Sequence, residues 1–294
     1  MPPVDTLTDR CRFTLAELWI YPVKSCAGIR VSEAELLDTG LEWDRTWMVV
    51  DAAGEFVSQR EYPRMAWIQP RLRLDTVELR APGMLPLHLA LHAAEQPCRV
   101  RVWDDEVNAY DMGPVAAQWV TDFLAPTGAG PLRLVRFDPE VHRPSSVKWT
   151  GGFQAPNQFS DGFPLLVLSQ ASLDDLNHRL TQHGQPPVDA ARFRPNLVVS
   201  GIEAHDEDRW SDLYWPDHPG VRLQLVKPCA RCSVPDVDPA TGVPDGRVGP
   251  VMSTYRQDRR LDGAITFGMN AVVRSGAGVR LTEGSAGEAV WSVW

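Results

Sequence analysis

The stretch from Val221 to Gly242 reads V-R-L-Q-L-V-K-P-C-A-R-C-S-V-P-D-V-D-P-A-T-G. Val221, Leu223 and Leu225 alternate with Arg222 and Gln224, the period of a strand with one face on a core and the other in solvent. Pro228 lacks an amide proton and is expected to stop the ladder. That would hold Cys229 and Cys232 at the strand end, beside Lys227 and Arg231. A thiol near cationic side chains loses its proton more easily, and thiolate is the form that attacks or binds a metal. On these residues alone four readings stay open. A structural zinc site needs four ligands, and C-x2-C supplies two. Cys11, Cys26 and Cys98 are isolated, while His88 and His92 alternate with Leu87, Leu89 and Leu91 as the wet face of a strand. A dithiol oxidoreductase wants its motif opening a helix, and Pro235 and Pro239 argue against one here. One cysteine can instead be the single thiolate ligand of a soft or redox-active metal held in a larger cofactor. Or the two are small buried residues of a turn.

Outward from this stretch, 294 residues suffice for one large or two modest cores. With 44% hydrophobic and 23% charged residues the composition is that of a soluble globular protein. No apolar run is long enough to span a membrane, and M-P-P-V-D-T-L-T-D-R lacks the pattern of a signal peptide. Five cysteines without framework spacing suit free thiols in a reducing compartment, so the expected location is cytoplasmic. The net charge of −9 is spread along the chain and argues against a nucleic-acid partner.

After a loose first dozen residues, Leu15 to Tyr21 reads as a strand ending in the turn P-V-K-S-C-A-G, Pro22 to Gly28. Lys24, Ser25 and flexible backbone together can hold an anion, although a solvated turn has the same composition. Leu41 to Asp51 reads as a second strand, turning at Ala52 to Gly54 into Glu55 to Arg60. Asp44 and Arg45 at its entrance are either a surface ion pair or, for Arg45, a bidentate anion ligand. Leu72 to Leu79, Leu87 to Leu91 and Arg99 to Trp103 continue as short strands. Pro114 then opens a helix, Val115 to Leu124, with an apolar stripe of Val115, Ala116, Trp119, Val120, Phe123 and Leu124.

These elements make an α+β N-terminal domain, residues 13–135, followed by a strand-rich domain, residues 136–294. Residues 137–160, rich in Pro, Gly and Asn, read as the connection between them. Pro164 to Leu168 is a buried strand, and Ser172 is expected to cap the next helix with Asp175 at the reciprocal position. Asp161, in the loop before that strand, is either a turn residue or an acid managing protons, able to act as general acid if burial raises its pKa. Arg194 and Asn196, two apart before a strand, would point to one face of an extended chain and grip an anion. Ile265 to Val273, Val279 to Leu281 and Ala289 to Trp294 read as the last strands of a closed β-barrel.

Six segments occur in order: Y-P-V-K-S from Tyr21, D-R at Asp44, S-D-x-x-P from Ser160, F-R-P-N from Phe193, C-x-R-C-x4-V-D-P-x-T-G from Cys229 and F-G-x-N from Phe267. Together they resemble the MOSC family, whose domain is named for the C-terminal part of molybdenum cofactor sulfurase. Within it the chain is most similar to the mitochondrial amidoxime-reducing components and their bacterial relatives. The resemblance spans Leu15 to the end and implies a MOSC-type β-barrel preceded by an α+β MOSC_N domain. It implies the molybdenum cofactor, Mo-molybdopterin, with Cys232 as the protein's ligand to the metal, Cys229 given no ligand role, and Cys232 and Asp161 as catalytic residues.

By the same resemblance Lys24, Ser25, Arg45, Ser160, Asp161, Gly162, Phe163, Arg194, Asn196, Ala230, Arg231, Cys232 and Asn270 contact the cofactor, with Gln59 and Arg60 as further candidates. The relatives carry partly polar contacts at the positions of Gly162 and Phe163, so only backbone contacts transfer there; Asn270 stands where the mitochondrial relatives have a tyrosine. At domain level the resemblance also extends to pyridoxal phosphate binding. The implied reaction is reduction of a small N-hydroxylated compound (an amidoxime, hydroxylamine or N-hydroxylated base). No apolar N-terminal anchor and no C-x4-C-x2-C ferredoxin spacing are found, so no membrane is expected, and the electrons are expected from a separate ferredoxin, flavoprotein or cytochrome b5-like protein. The alternative within the family is a carrier of sulfur, as a persulfide on Cys232, or of the cofactor itself.

Overall fold

A computed structural model of the chain describes residues 10–94 and 96–292. Seven strands form its central barrel: β1 (Arg10–Ile20), β2 (Leu165–Ser169), β3 (Leu197–Ser200), β4 (Trp210–Trp215), β5 (His218–Ala230), β6 (Ala264–Ser275) and β7 (Ala286–Trp291). They pair in the order β2-β3-β1-β7-β4-β5-β6, and β6 returns to β2 to close the ring. Strands β2 and β3 run parallel, which requires a crossover, and the helix Gln170–Gln182 supplies it. Closure leaves these strands no free edges and gives one continuous interior. Phe13, Leu15, Leu18, Leu213, Leu223 and Ala271 fill that interior, with Phe13 packed between Trp210 and Trp215 at ring separations of 5.7 and 5.6 Å. The seam of β6 on β2 needs a glycine: Gly268 has φ +76°, and a Cβ there would lie 2.7 Å from the Val167 carbonyl oxygen.

The rest of the N-terminal half packs beside the barrel. Trp47–Val50, Arg133–Phe137, Asp105–Asp111 and Pro97–Val102 form a four-stranded sheet in that order. A three-stranded meander, Gln69–Leu72, Thr76–Arg80 and Leu87–Ala90, shares a second core with the helix Pro114–Leu124. The expected helix is present, and Leu87, Leu89 and Leu91 are buried while His88 is exposed. Val115, expected on the helix's apolar stripe, is exposed; the strand expected from Leu72 to Leu79 is broken between Leu72 and Thr76; and Trp103 falls in a turn just past Pro97–Val102.

Several expectations differ from what the chain does. The two halves are interleaved, because β1 precedes the expected boundary at 135/136 yet sits between β3 and β7 in the barrel. The strand expected from Leu41 to Asp51 is broken into Gly40–Leu41 and Trp47–Val50. The Asp44 carboxylate accepts the Tyr21 amide at 2.8 Å, and the left-handed backbone of Trp43 and Arg45 turns the chain there. Pro228 does not stop its strand. Pairing of β5 with β6 runs on through register shifts at Leu225/Lys227 and Pro228/Ala230, and such bulges tolerate a missing amide proton.

Ser169 caps the crossover helix, its hydroxyl accepting from the Ser172 amide at 3.0 Å; Ser172 turns its own hydroxyl to buried Glu207, and Asp175 pairs with Arg179 instead. Asp105–Asp111 is a strand that its polar sequence hid. The connection 137–160 is a packed element, with Phe159 fully buried against Phe137 at 5.1 Å. The leader expected to be loose lies outside the described residues up to residue 9, as do Val293 and Trp294 of the last expected strand.

Candidate functional site

Where the end of β5 meets the N-terminal half, a cleft of about 490 Å³ opens. Every cofactor candidate of the sequence analysis except Gln59 lines it: Lys24, Ser25 and Arg45 from the N-terminal half, Ser160 to Phe163 from the loop before β2, Arg194 and Asn196 before β3, Ala230 to Cys232 after β5, and Asn270 on β6. Cys229 and Arg60 line it as well, whereas Gln59 donates to the Ser25 carbonyl at 2.7 Å and faces a smaller neighbouring cavity. Four non-glycine residues of the cleft have left-handed backbone, Ser25, Arg45, Trp103 and Arg194. Strain of this kind persists where surrounding structure over-determines a functional geometry.

The charge of the cleft is one-sided. Six basic side chains line it (Lys24, Arg45, Arg60, Arg194, Lys227 and Arg231), against the single carboxylate of Asp161. Arg45 and Arg194 both lie against the buried Tyr21 ring, their guanidinium carbons 4.5 and 4.3 Å from its centroid. Arg45 is braced by Asp44 at 2.5 Å, the Asn196 amide oxygen at 3.0 Å and the Arg194 carbonyl at 3.1 Å. Arg194 donates one nitrogen to the Cys26 carbonyl, while its Nη2 is buried without a protein partner, as is Nε of Arg231. Burial, followed by the adjacent Arg45 charge, pulls the Arg194 guanidinium down to about 10. Buried guanidinium nitrogens without a protein partner suit an anionic ligand.

Asn196 is not the exposed anion ligand that an extended F-R-P-N would make. Arg194 itself is left-handed, so the two side chains do not alternate along a strand, and Asn196 is 1% exposed. Its amide oxygen also accepts the Leu166 amide at 3.1 Å, and its nitrogen donates to the Trp19 carbonyl at 3.2 Å. It ties β1, β2 and Arg45 together and so aims the guanidinium. Asn270 similarly donates to the Lys227 carbonyl at 3.2 Å, steadying the bulged end of β5 beneath the cysteines.

Asp161 also differs from the general acid that burial would create. Partial desolvation by the cleft wall works to raise its carboxyl, but the Lys24 ammonium 2.5 Å away, the Trp103 indole N–H at 3.2 Å and the charge of Arg45 outweigh it and hold the carboxyl well below the usual range. Asp161 is therefore ionised at neutral pH, on the open wall of the cleft with its side chain 71% exposed. Lys24 is buried and also donates to the Phe159 carbonyl at 2.8 Å; burial lowers its ammonium while Asp161 supports the charge.

Sequence reasoning passed over Arg143. It is 5% exposed and donates to the Asn157 amide oxygen at 2.7 Å, the Gln158 carbonyl at 2.8 Å and the Ser160 carbonyl at 2.6 Å, with Asp105 at 2.8 Å as its counter-ion. This one guanidinium shapes the loop that presents Ser160 and Asp161. The cysteine loop is fixed from below. Buried Arg192 pairs with Asp245 at 2.7 Å, Asp236 accepts the Val248 and Gly249 amides at 2.8 and 2.9 Å, and the Trp67 indole donates to the Ala240 carbonyl at 2.8 Å. Cys232 is exposed in the cleft, and the Cys229 sulfur accepts from Arg231 at 3.0 Å. All five cysteines are free, and among the described residues no three His, Cys, Asp or Glu side chains gather into a metal-binding group, so a structural zinc site has no ligand set there.

Two family models match the chain. The model of the MOSC N-terminal β-barrel domain matches residues 12–127, and the model of the MOSC domain matches residues 154–285. The mouse mitochondrial amidoxime-reducing component 1 is 40% identical over 240 residues, covering 79% of this chain and 68% of that protein. Its human counterpart is 40% identical over 256 residues, 83% and 72% of the respective lengths. Among solved structures, the YUAD protein of Bacillus subtilis aligns over 96% of this chain and 97% of its own with a TM-score of 0.42 and 11% identity, a likeness too faint to carry weight.

Proposed function

The chain belongs to the MOSC family and carries both its N-terminal and its MOSC domain, and from that premise we propose that it is a molybdenum-cofactor-dependent reductase of N-hydroxylated compounds. The family's amidoxime-reducing members are named for this reaction. The observation that carries the reading is the cleft itself, in which six cations face one carboxylate in a protein of net charge −9 and an exposed thiol stands among them. The residues present fit the cofactor. A volume of about 490 Å³ suits a cofactor-sized ligand. The unpartnered nitrogens of Arg194 and Arg231 suit an anionic, hydrogen-bonding group, and a thiolate is the ligand type that soft and redox metals take.

In this reading Lys24, Arg45 and Arg194 hold the phosphate and pterin oxygens, and Cys232 ligates the metal. When bound, the cofactor supplies two-electron redox chemistry. Reducing an amidoxime to an amidine and water consumes two electrons and two protons. Electrons come from a separate redox protein of the ferredoxin, flavoprotein or cytochrome b5-like class. Asp161, ionised, accepts a hydrogen bond from the substrate and orients it, while the proton at that corner of the site is held on Lys24 Nζ.

A sulfur carrier bearing a persulfide on Cys232 would use the same exposed thiol. Turnover separates the two. Cofactor-loaded protein with a chemically reduced dye and benzamidoxime should form benzamidine over many cycles; a carrier would show none however fully loaded.

A further inference from the structure

The exposed large apolar side chains of the described residues are Leu74, Leu85, Trp103, Val115, Val147 and Val243, and of these Trp103 alone lines the cleft. It is 43% exposed and has φ +56°, a conformation that a bulky residue takes only when something holds it there. What holds it is a small assembly. The Phe56 ring lies 5.0 Å away centroid to centroid, the Arg60 guanidinium sits 4.7 Å over the indole and 5.9 Å from Phe56, and the indole N–H donates to Asp161 at 3.2 Å. With Arg60 over the ring and Phe56 beside it, Trp103 still keeps 43% of its surface exposed. A flat apolar surface is thus fixed at hydrogen-bonding distance from an ionised carboxylate.

We propose that Trp103, braced by Phe56 and Arg60, is the platform on which a planar aromatic N-hydroxylated amidine stacks while its N–H groups donate to Asp161. A stacking contact and a hydrogen bond together define the plane and the rotation of such a ligand, which a single contact cannot do. The neighbouring cations Arg60 and Lys24 disfavour a substrate that already bears a positive charge and favour the neutral amidoxime over a cationic amidine. A non-planar or minimal substrate such as hydroxylamine gains nothing from the ring. The site therefore prefers aromatic amidoximes by the energy of one stacking contact.

This inference rests on the reductase reading, and its test has two arms. In steady-state turnover with a reduced dye, Trp103→Ala should lower the ratio of kcat/KM for benzamidoxime to that for hydroxylamine roughly 3- to 10-fold, mainly through KM. Trp103→Phe keeps a ring but loses the indole N–H, and should recover most of that ratio. An unchanged ratio in Trp103→Ala overturns the platform, as does a Phe variant no better than Ala. The second arm is binding of benzamidoxime to the same proteins by calorimetry without reductant, expected to weaken by a similar factor in the Ala variant and to recover in the Phe variant. If the wild type turns over neither substrate, the reductase reading has failed and the binding arm alone decides: equal affinity of wild type and Trp103→Ala overturns the platform.

Discussion

Asp161 and Lys24 set the charge at the working corner of the cleft, and their pairing fixes a pH dependence. The Asp161 carboxyl is held below its unfolded value of about 3.9. Its contribution to stability is thus present above that pH and fades as pH falls through the lower folded value; with the side chain 71% exposed, the contribution is small. Asp161 should stay ionised from about pH 5 upward. An acidic limb of kcat/KM near neutrality that disappears in Asp161→Asn would contradict this.

Arg143 governs the same loop more strongly. Arg143→Ala leaves the Asn157 amide oxygen and two carbonyls without their donor, and should cost about 3 kcal/mol and several degrees of Tm in a thermal melt. A variant as stable as wild type would show that the loop holds itself. At this scale Lys24, Arg45 and Cys232 were legible because each lies in a motif. Arg143 and Trp103 were not. R-P-S-S and V-W-D-D have no periodicity, and their importance arises from contacts with residues far along the chain.

The elements repeat the pattern. Strand β5 was legible from Val221, Leu223 and Leu225, whose alternation matches a face now buried in the barrel. Its continuation through Pro228 was hidden, because a bulge depends on the partner strand rather than on local sequence. The turn at Trp43 to Arg45 was hidden too, since the Asp44 carboxylate that makes it meets an amide 23 residues away. Gly268 is where an element-level prediction is sharpest. Gly268→Ala combines a left-handed φ with a Cβ 2.7 Å from the Val167 oxygen, at the seam that closes the barrel. It should destabilise by at least about 2 kcal/mol, read as a lower denaturant midpoint. An unchanged midpoint would mean that the seam is not tight.

At the scale of the whole molecule, the interleaving of the halves makes the barrel depend on a strand that comes from the far end of the chain. A fragment beginning at residue 136 lacks β1, which pairs with both β3 and β7. It should show no cooperative unfolding transition, and a cooperatively melting fragment would contradict the topology. The barrel itself was legible from evenly spaced short strands, although Arg280–Thr282, expected among them, pairs with Glu33–Leu37 outside it. The place of β1 in the barrel was not legible, because strand pairing across such a separation leaves no local mark. The same interleaving builds the cleft, with Lys24 and Arg45 from one half facing Cys232 from the other across a cationic opening. The central claim is that this opening holds a molybdenum cofactor through Cys232. Its most direct test is molybdenum and pterin content of protein produced with molybdate, for wild type and Cys232→Ala. The account predicts near-stoichiometric metal in the wild type and its loss in the variant. No molybdenum or pterin in either protein, or equal metal in both, would contradict it.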